Sequence, residues 1–135
     1  MSTIDISTSQ HGDNNMRLCA IRGATSVERD EADEIIAATT ALLAEMLGRN
    51  DIRPDELVSL IFTATPDLVA EFPAVAARRL GLSGVALMCA AEIPVAGATP
   101  RCVRVLAHCY SRRTNDQLRH VYLGAAKQLR TDLPE

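Results

Sequence analysis

The hydrophobic pattern of this chain predicts a single α/β or α+β layer structure, with helices on one face of a mixed sheet. Three observations carry that prediction. Residues 101–110 (RCVRVLAHCY) alternate as a strand with two unlike faces. Residues 30–48 carry two adjacent apolar stripes at the 3.6-residue period of a helix. The remaining apolar runs are short and are bounded by Gly and Pro, as buried strands are. The element order reads strand, helix, strand, helix, strand, strand and one further element, without internal repeats or a linker. A chain of 135 residues can bury one real core.

Taken in order, residues 1–15 are polar and lack periodicity, and are expected to form a disordered tail. Residues 17–22 (RLCAIR) read as the first strand, stopped by Gly23, with Arg22 at its end. Asp30 can cap the helix that follows, because acidic Glu31, Asp33 and Glu34 suit its positive end. Ile35, Leu42 and Met46 form one stripe of that helix, Ile36, Leu43 and Leu47 the next, and Gly48 can stop it. Pro54-Asp-Glu can open a short helical turn before a buried strand at 58–64. Pro66 then denies a donor and turns the chain. Pro73 suits the first turn of a second helix running to Leu80 and ended by Gly81. Arg78 and Arg79 lie late in it, where the helix dipole alone accounts for cations.

Residues 85–90 read as a short third strand, with Glu92 just beyond, and Pro94, Gly97 and Pro100 mark a loop. In the strand at 101–110, Val103, Val105, Ala107 and Cys109 share one apolar face, and Cys102, Arg104, Leu106, His108 and Tyr110 share the other. Arg104 therefore sits mid-strand. A guanidinium keeps its proton, so if buried it needs an anionic partner from the protein or a ligand; on an edge strand it would simply face water. Residues 117–127 fit either period: Leu118, Val121, Tyr122 and Ala125 suit a helix, while Val121, Leu123 and Ala125 alternate like a strand.

Composition excludes several classes of function. A net charge of −3 provides no basic field for nucleic acid, and two Phe, two Tyr and no Trp provide no stacking platform. No apolar run approaches the ~20 residues of a membrane span, and the N-terminus lacks the apolar core of a secretory signal, so a cytosolic protein is expected. Cys19, Cys89, Cys102 and Cys109 form no CxxC pair and no zinc spacing, and read as buried free thiols. There is no nucleophile elbow, P-loop, dinucleotide fingerprint or HExxH motif. His11 falls in the tail, and His108 and His120 read as structural. What remains is a set of arginines, namely Arg22, Arg78, Arg104 and Arg130, together with Glu92. Several arginines without a catalytic base suit a multiply anionic small molecule, and such a site can catalyse by orientation and electrostatics alone.

At these residues the chain resembles a known family. Arg22-Gly-Ala-Thr-Ser-Val-Glu-Arg-Asp30, Ala64-Thr-Pro-Asp-Leu68, Phe72-Pro-Ala74, Cys89-x-x-Glu92, Cys102-Val-Arg104 and Arg119-His-Val-Tyr122-Leu are similar to the AroH class of chorismate mutase, in order and almost gap-free from about Arg17 to Leu133. The resemblance implies an α+β fold for residues 16–135: a five-stranded mixed sheet packed against helices, with three copies forming a homotrimeric pseudo-α/β barrel and sites at the subunit interfaces. It also implies that residues 117–127 are mainly strand.

The implied activity is an isomerase reaction serving Phe and Tyr biosynthesis. It is the Claisen rearrangement of chorismate, a dicarboxylate, to prephenate, without cofactor, metal, nucleic acid or membrane. By that resemblance Arg104 donates to the ether oxygen where negative charge develops. Arg22 and Tyr122 hold carboxylate, and Glu92 with the Cys89 backbone anchors the substrate hydroxyl. Phe72, Ala74 and Leu129 wall the pocket from a neighbouring subunit, and Arg78 and Arg130 close its mouth. Two positions depart from the family: Val75, often Lys, and Met88, often Thr. Two other readings use the same residues, a variant chorismate-derived activity in secondary metabolism and a non-catalytic trimeric binder of a carboxylated metabolite.

Overall fold

A computed structural model describes residues 16–128. The expected tail at 1–15, and Leu129 and Arg130, lie outside the described residues. The elements are β1 (Arg17–Ser26), α1 (Ala32–Arg49), β2 (Leu57–Ala64), α2 (Ala74–Arg79), β3 (Ala86–Ala91), β4 (Cys102–Ser111) and β5 (Val121–Tyr122). Short 3-10 turns occupy Pro54–Glu56, Asn115–Gln117 and Gly124–Gln128. The strands form one mixed five-stranded sheet in the order β3-β2-β4-β1-β5. β4 lies at its centre, antiparallel to β1 and β2, while β3 runs parallel to β2 and β5 parallel to β1.

Both helices cover the same face of the sheet. Ile36, Leu42, Leu43 and Met46 of α1 and Ala74, Ala76 and Ala77 of α2 pack with Leu60, Phe62, Val105, Ala107 and Cys109 into one core. Val103 joins Ile35 and Leu68 in a satellite cluster. Burial of this aliphatic face removes apolar surface from water, which is the main favourable term in folding. The alternation read in β4 is therefore correct, and its central place rules out the edge-strand reading of Arg104.

Four local expectations are corrected. β1 does not stop at Gly23 but runs to Ser26. A Cβ on Gly23 would stand 2.4 Å from the Met46 sulfur, so this glycine lets α1 press against the strand rather than ending it. Asp30 is not the cap of α1; Glu31 holds that position. Asp30 instead accepts the backbone N–H groups of Val69 and Ala70, both at 3.0 Å, and fixes the loop after β2. α1 also passes through Gly48 to Arg49 and ends at Asn50. The buried Asn50 side chain donates to the carbonyls of Met46 and Arg119, both at 2.8 Å, and accepts from the Arg119 N–H at 2.7 Å. One polar residue thus satisfies the helix end and anchors the approach to β5.

The fourth correction concerns residues 117–127, which are not mainly strand. Only Val121 and Tyr122 pair, with Gly23 and Ala24. Gly124 then takes φ +58, and a Cβ there would lie 2.8 Å from the Ser26 hydroxyl oxygen. The chain turns at that point, and the same hydroxyl accepts the Ala125 N–H at 3.0 Å. All four cysteines are free, with Cys19, Cys102 and Cys109 buried and Cys89 half-buried.

Candidate active site

The sheet face away from the helices carries the chemistry. Arg104 projects from it at mid-β4, opposite Ala24 of β1 and Thr63 of β2. Two small neighbours leave room for a guanidinium. Glu92 is the first residue past β3, and its N–H donates to the Ala64 carbonyl at 3.0 Å, which keeps it beside the end of β2. From there its carboxylate reaches back over the open face. Oε2 accepts the Thr63 hydroxyl at 2.7 Å and stands 3.2 Å from Arg104 Nε. The Glu92 side chain is 14 % exposed and that of Arg104 45 %, so the anion is sheltered and the cation is presented. Thr63 was not among the residues singled out from sequence. Its signal lies in the β2–β4 register, which a strand pattern alone does not reveal.

Two further predicted residues lie on the same face. Arg22 sits opposite Leu106, one diagonal step along the sheet from Arg104, and is half-buried. Its backbone N–H donates to Nδ1 of the buried His120 at 2.9 Å, so that histidine is structural, as read. Tyr122 pairs beside Ala24 and packs with Cys102 and Ala126. It is only 3 % exposed, and no acceptor among the described residues meets its hydroxyl. A buried phenol without a partner is uncommon and marks a place where another group is expected.

The other predicted residues lie on the opposite side. Phe72, 67 % exposed, stands just before α2, and Arg78 is exposed in the last turn of that helix. Ala74 is buried in the helix–sheet core. Cys89 faces the helix layer, beside Phe62. Phe72, Pro73, Leu68, Val69 and Cys89 line an apolar groove of about 660 Å³ at that edge. One copy of the chain therefore joins Arg104, Glu92, Arg22 and Tyr122 but leaves Phe72, Arg78 and the Cys89 side chain on the far face of the sheet. Of the two departures, Val75 is half-buried against the core, and Met88 is exposed on the open face opposite Ile61.

Nothing in this group is armed as a nucleophile. Burial pushes the Cys102 thiol up, and the Cys109 thiol up to about 11, so neither is a ready thiolate. His108 exchanges a 3.1 Å hydrogen bond with Ser59. Among the described residues no group of three or more His, Cys, Asp or Glu is placed to hold a metal ion, and no helix is long and apolar enough to cross a membrane. What the face offers is a guanidinium held beside a carboxylate, a second arginine and an orphan phenol: donors for anionic oxygen.

The end of β4 that carries these groups is braced by the Thr65-Pro-Asp turn. Thr65 Oγ1 donates to Asp67 Oδ1 at 2.5 Å and accepts the Cys102 N–H at 2.9 Å. Asp67 in turn accepts the N–H of Arg101, a non-glycine residue at φ 47. The carboxylate holds that strained backbone immediately before Cys102 and Arg104.

Comparison with known proteins gives one consistent result. Residues 18–133 match the family model for chorismate mutase type I. A chorismate mutase AroH of Thermus thermophilus is 48 % identical over 114 residues, covering 84 % of this chain and 93 % of that relative. A chorismate mutase AroH of Bacillus subtilis is 42 % identical over 119 residues, covering 87 % and 94 %. The solved chorismate mutase from Clostridium thermocellum superposes with a TM-score of 0.80 at 48 % identity, covering 81 % of this chain and 97 % of that one.

Proposed function

The chain belongs to the chorismate mutase type I family and is a chorismate mutase, an isomerase of aromatic amino-acid biosynthesis, and on that premise we propose that its chemistry is done on the open sheet face by Arg104 and Glu92. The observation that carries this reading is the Arg104–Glu92 pair at 3.2 Å, projecting from the centre of the sheet beside Arg22 and the orphan hydroxyl of Tyr122.

The reaction is a [3,3] rearrangement in which the C–O bond breaks ahead of C–C bond formation. Negative charge grows on the ether oxygen in the transition state. Arg104, held by Nε to Glu92, turns its remaining N–H donors to that oxygen. Because the interaction is stronger in the transition state than in the ground state, it accelerates the step. Arg22 and Tyr122 take carboxylate oxygens, and Glu92 takes the substrate hydroxyl together with the Cys89 backbone. No proton transfer, covalent intermediate or cofactor is required of the chain.

The division of predicted residues between two faces supports a site completed by a second copy. Phe72 and Arg78 of one copy would meet the Arg104 face of another, with Ala74 shaping that wall from the core. Leu129 and Arg130 are assigned to wall and mouth on the resemblance alone. The open face has the surface for such assembly. Leu18, Val58 and Met88 are exposed on or beside it, and Leu106 and Ile61 are half-exposed at its centre. A bare apolar sheet face of this kind marks an interaction surface. We assign it to a homotrimer in the cytoplasm.

The test is chorismate loss by purified protein with no added cofactor, with prephenate identified as product. The native chain should turn chorismate over, and Arg104→Ala should lower kcat by several orders of magnitude. A loss confined to KM would contradict the role of Arg104, and binding without turnover would favour the metabolite-binder reading.

A further inference from the structure

We propose that Thr63 is a positioning residue for this reaction, acting through Glu92. The inference rests on the reading of Arg104 and Glu92 above and extends it to a residue outside that set. Thr63 faces Arg104 directly across the β2–β4 pair, on the open side of the sheet. Its hydroxyl donates to Glu92 Oε2 at 2.7 Å, and the same oxygen stands 3.2 Å from Arg104 Nε. Thr63 and Arg104 thus converge on one oxygen from two neighbouring strands.

The consequence is directional. A carboxylate on a flexible Glu side chain can rotate and present either oxygen to a cation. With Oε2 bonded to the hydroxyl and facing Nε, the carboxylate is held in one orientation, and no hydrogen bond to Oε1 is found among the described residues. Oε1 is therefore the atom left to accept the substrate hydroxyl. The same contact sets the Nε edge of Arg104 against Glu92 as an ion pair. Threonine suits the position: it is β-branched, stiff at χ1 and favoured on a strand, and its single hydroxyl is aimed by the backbone. Charge-assisted hydrogen bonds of this kind are stronger than neutral ones, so their loss should be visible in kinetics.

The test uses the full chain and three variants, after turnover by the native chain has been measured. Thr63→Val keeps shape and burial but removes the donor, and should lower kcat/KM about tenfold, in kcat more than in KM. Thr63→Ser keeps a hydroxyl and should restore most of it. In a Glu92→Ala background, Thr63→Val should have almost no further effect, because its only route of action is gone. The Arg104 Nε–H resonance in NMR provides a readout independent of turnover: it should shift in Thr63→Val and return in Thr63→Ser. Native kinetics in Thr63→Val would overturn the proposal. So would a loss that adds fully to that of Glu92→Ala, or an unmoved Arg104 resonance. Failure of the native chain itself to convert chorismate would sink the underlying reading, and is seen before any variant is made. Should Thr63→Val fold poorly, Thr63→Ala provides the same donor deletion, and the same three outcomes decide.

Discussion

The two faces of β4 are made by alternate residues of one strand, yet they do opposite work. Val103, Val105, Ala107 and Cys109 are all buried under helices of the same chain. On the other face Leu106, His108 and Tyr110 are half-exposed, and Arg104 is more exposed still. The closed face is finished within one copy, by α1 and α2. The open face has a guanidinium, a sheltered carboxylate, an orphan phenol and bare aliphatic surface, which is what a substrate and a second copy would complete. The difference teaches that stability and activity are separable here by parity along a strand.

On the closed side the largest effect is expected at Phe62, which is fully buried in the main core. Phe62→Ala should cost about 3–5 kcal/mol, read from denaturant unfolding, because a cavity remains under both helices. A loss below about 1 kcal/mol would mean that the helix layer does not hold the sheet as described. On the open side, Glu92→Ala should reduce kcat/KM by about 10²–10³-fold while moving the melting temperature little. Near-normal turnover would remove Glu92 from the site.

A third substitution separates assembly from folding. Leu106→Asp puts a charge at the centre of the bare face and should leave the circular dichroism of the chain intact while dissociating the proposed homotrimer in sedimentation velocity and abolishing turnover. An unchanged sedimentation coefficient would exclude this face as the interface. The smallest effect is expected at Asp67. The Thr65 hydroxyl holds its carboxyl below the ordinary value of 3.8, so the ionised form is favoured in the folded chain. That stabilisation is present above the ordinary value and fades as pH falls through the lowered one. Asp67→Asn should therefore be slightly less stable than the native chain at neutral pH, and the gap should close in acid. A gap that widens in acid would reverse the sign.

Much of this was legible in sequence where one element decides the pattern. The stripes of α1 and the alternation of β4 are set by local period, and both emerge where expected. The misses share a cause: residues whose role is fixed by a distant neighbour. Gly23 looked like a stop because glycine ends strands, but Met46 of α1 explains it. Asp30 looked like a cap, but the loop at Val69 takes its carboxylate. The β5 region fitted two periods because only two of its residues pair at all. Arg104, Glu92 and Arg22 could be named from the residues themselves and Tyr122 through the family resemblance, but Thr63 needed the strand register. The split of the remaining site residues across the sheet needed three-dimensional structure.

The central claim is that the open face of one copy is completed by the α2 side of another, and subunit mixing tests it most directly. Arg104→Ala removes the donor on the open face. Arg78→Glu reverses the charge on the α2 side and should repel a dicarboxylate, so each variant alone should be nearly inactive. Mixed and reassembled, they should regain about a quarter of native turnover, because some interfaces then join an intact open face to an intact α2 side. No recovery, in mixtures shown to exchange subunits, would place the whole site within one copy and contradict the account.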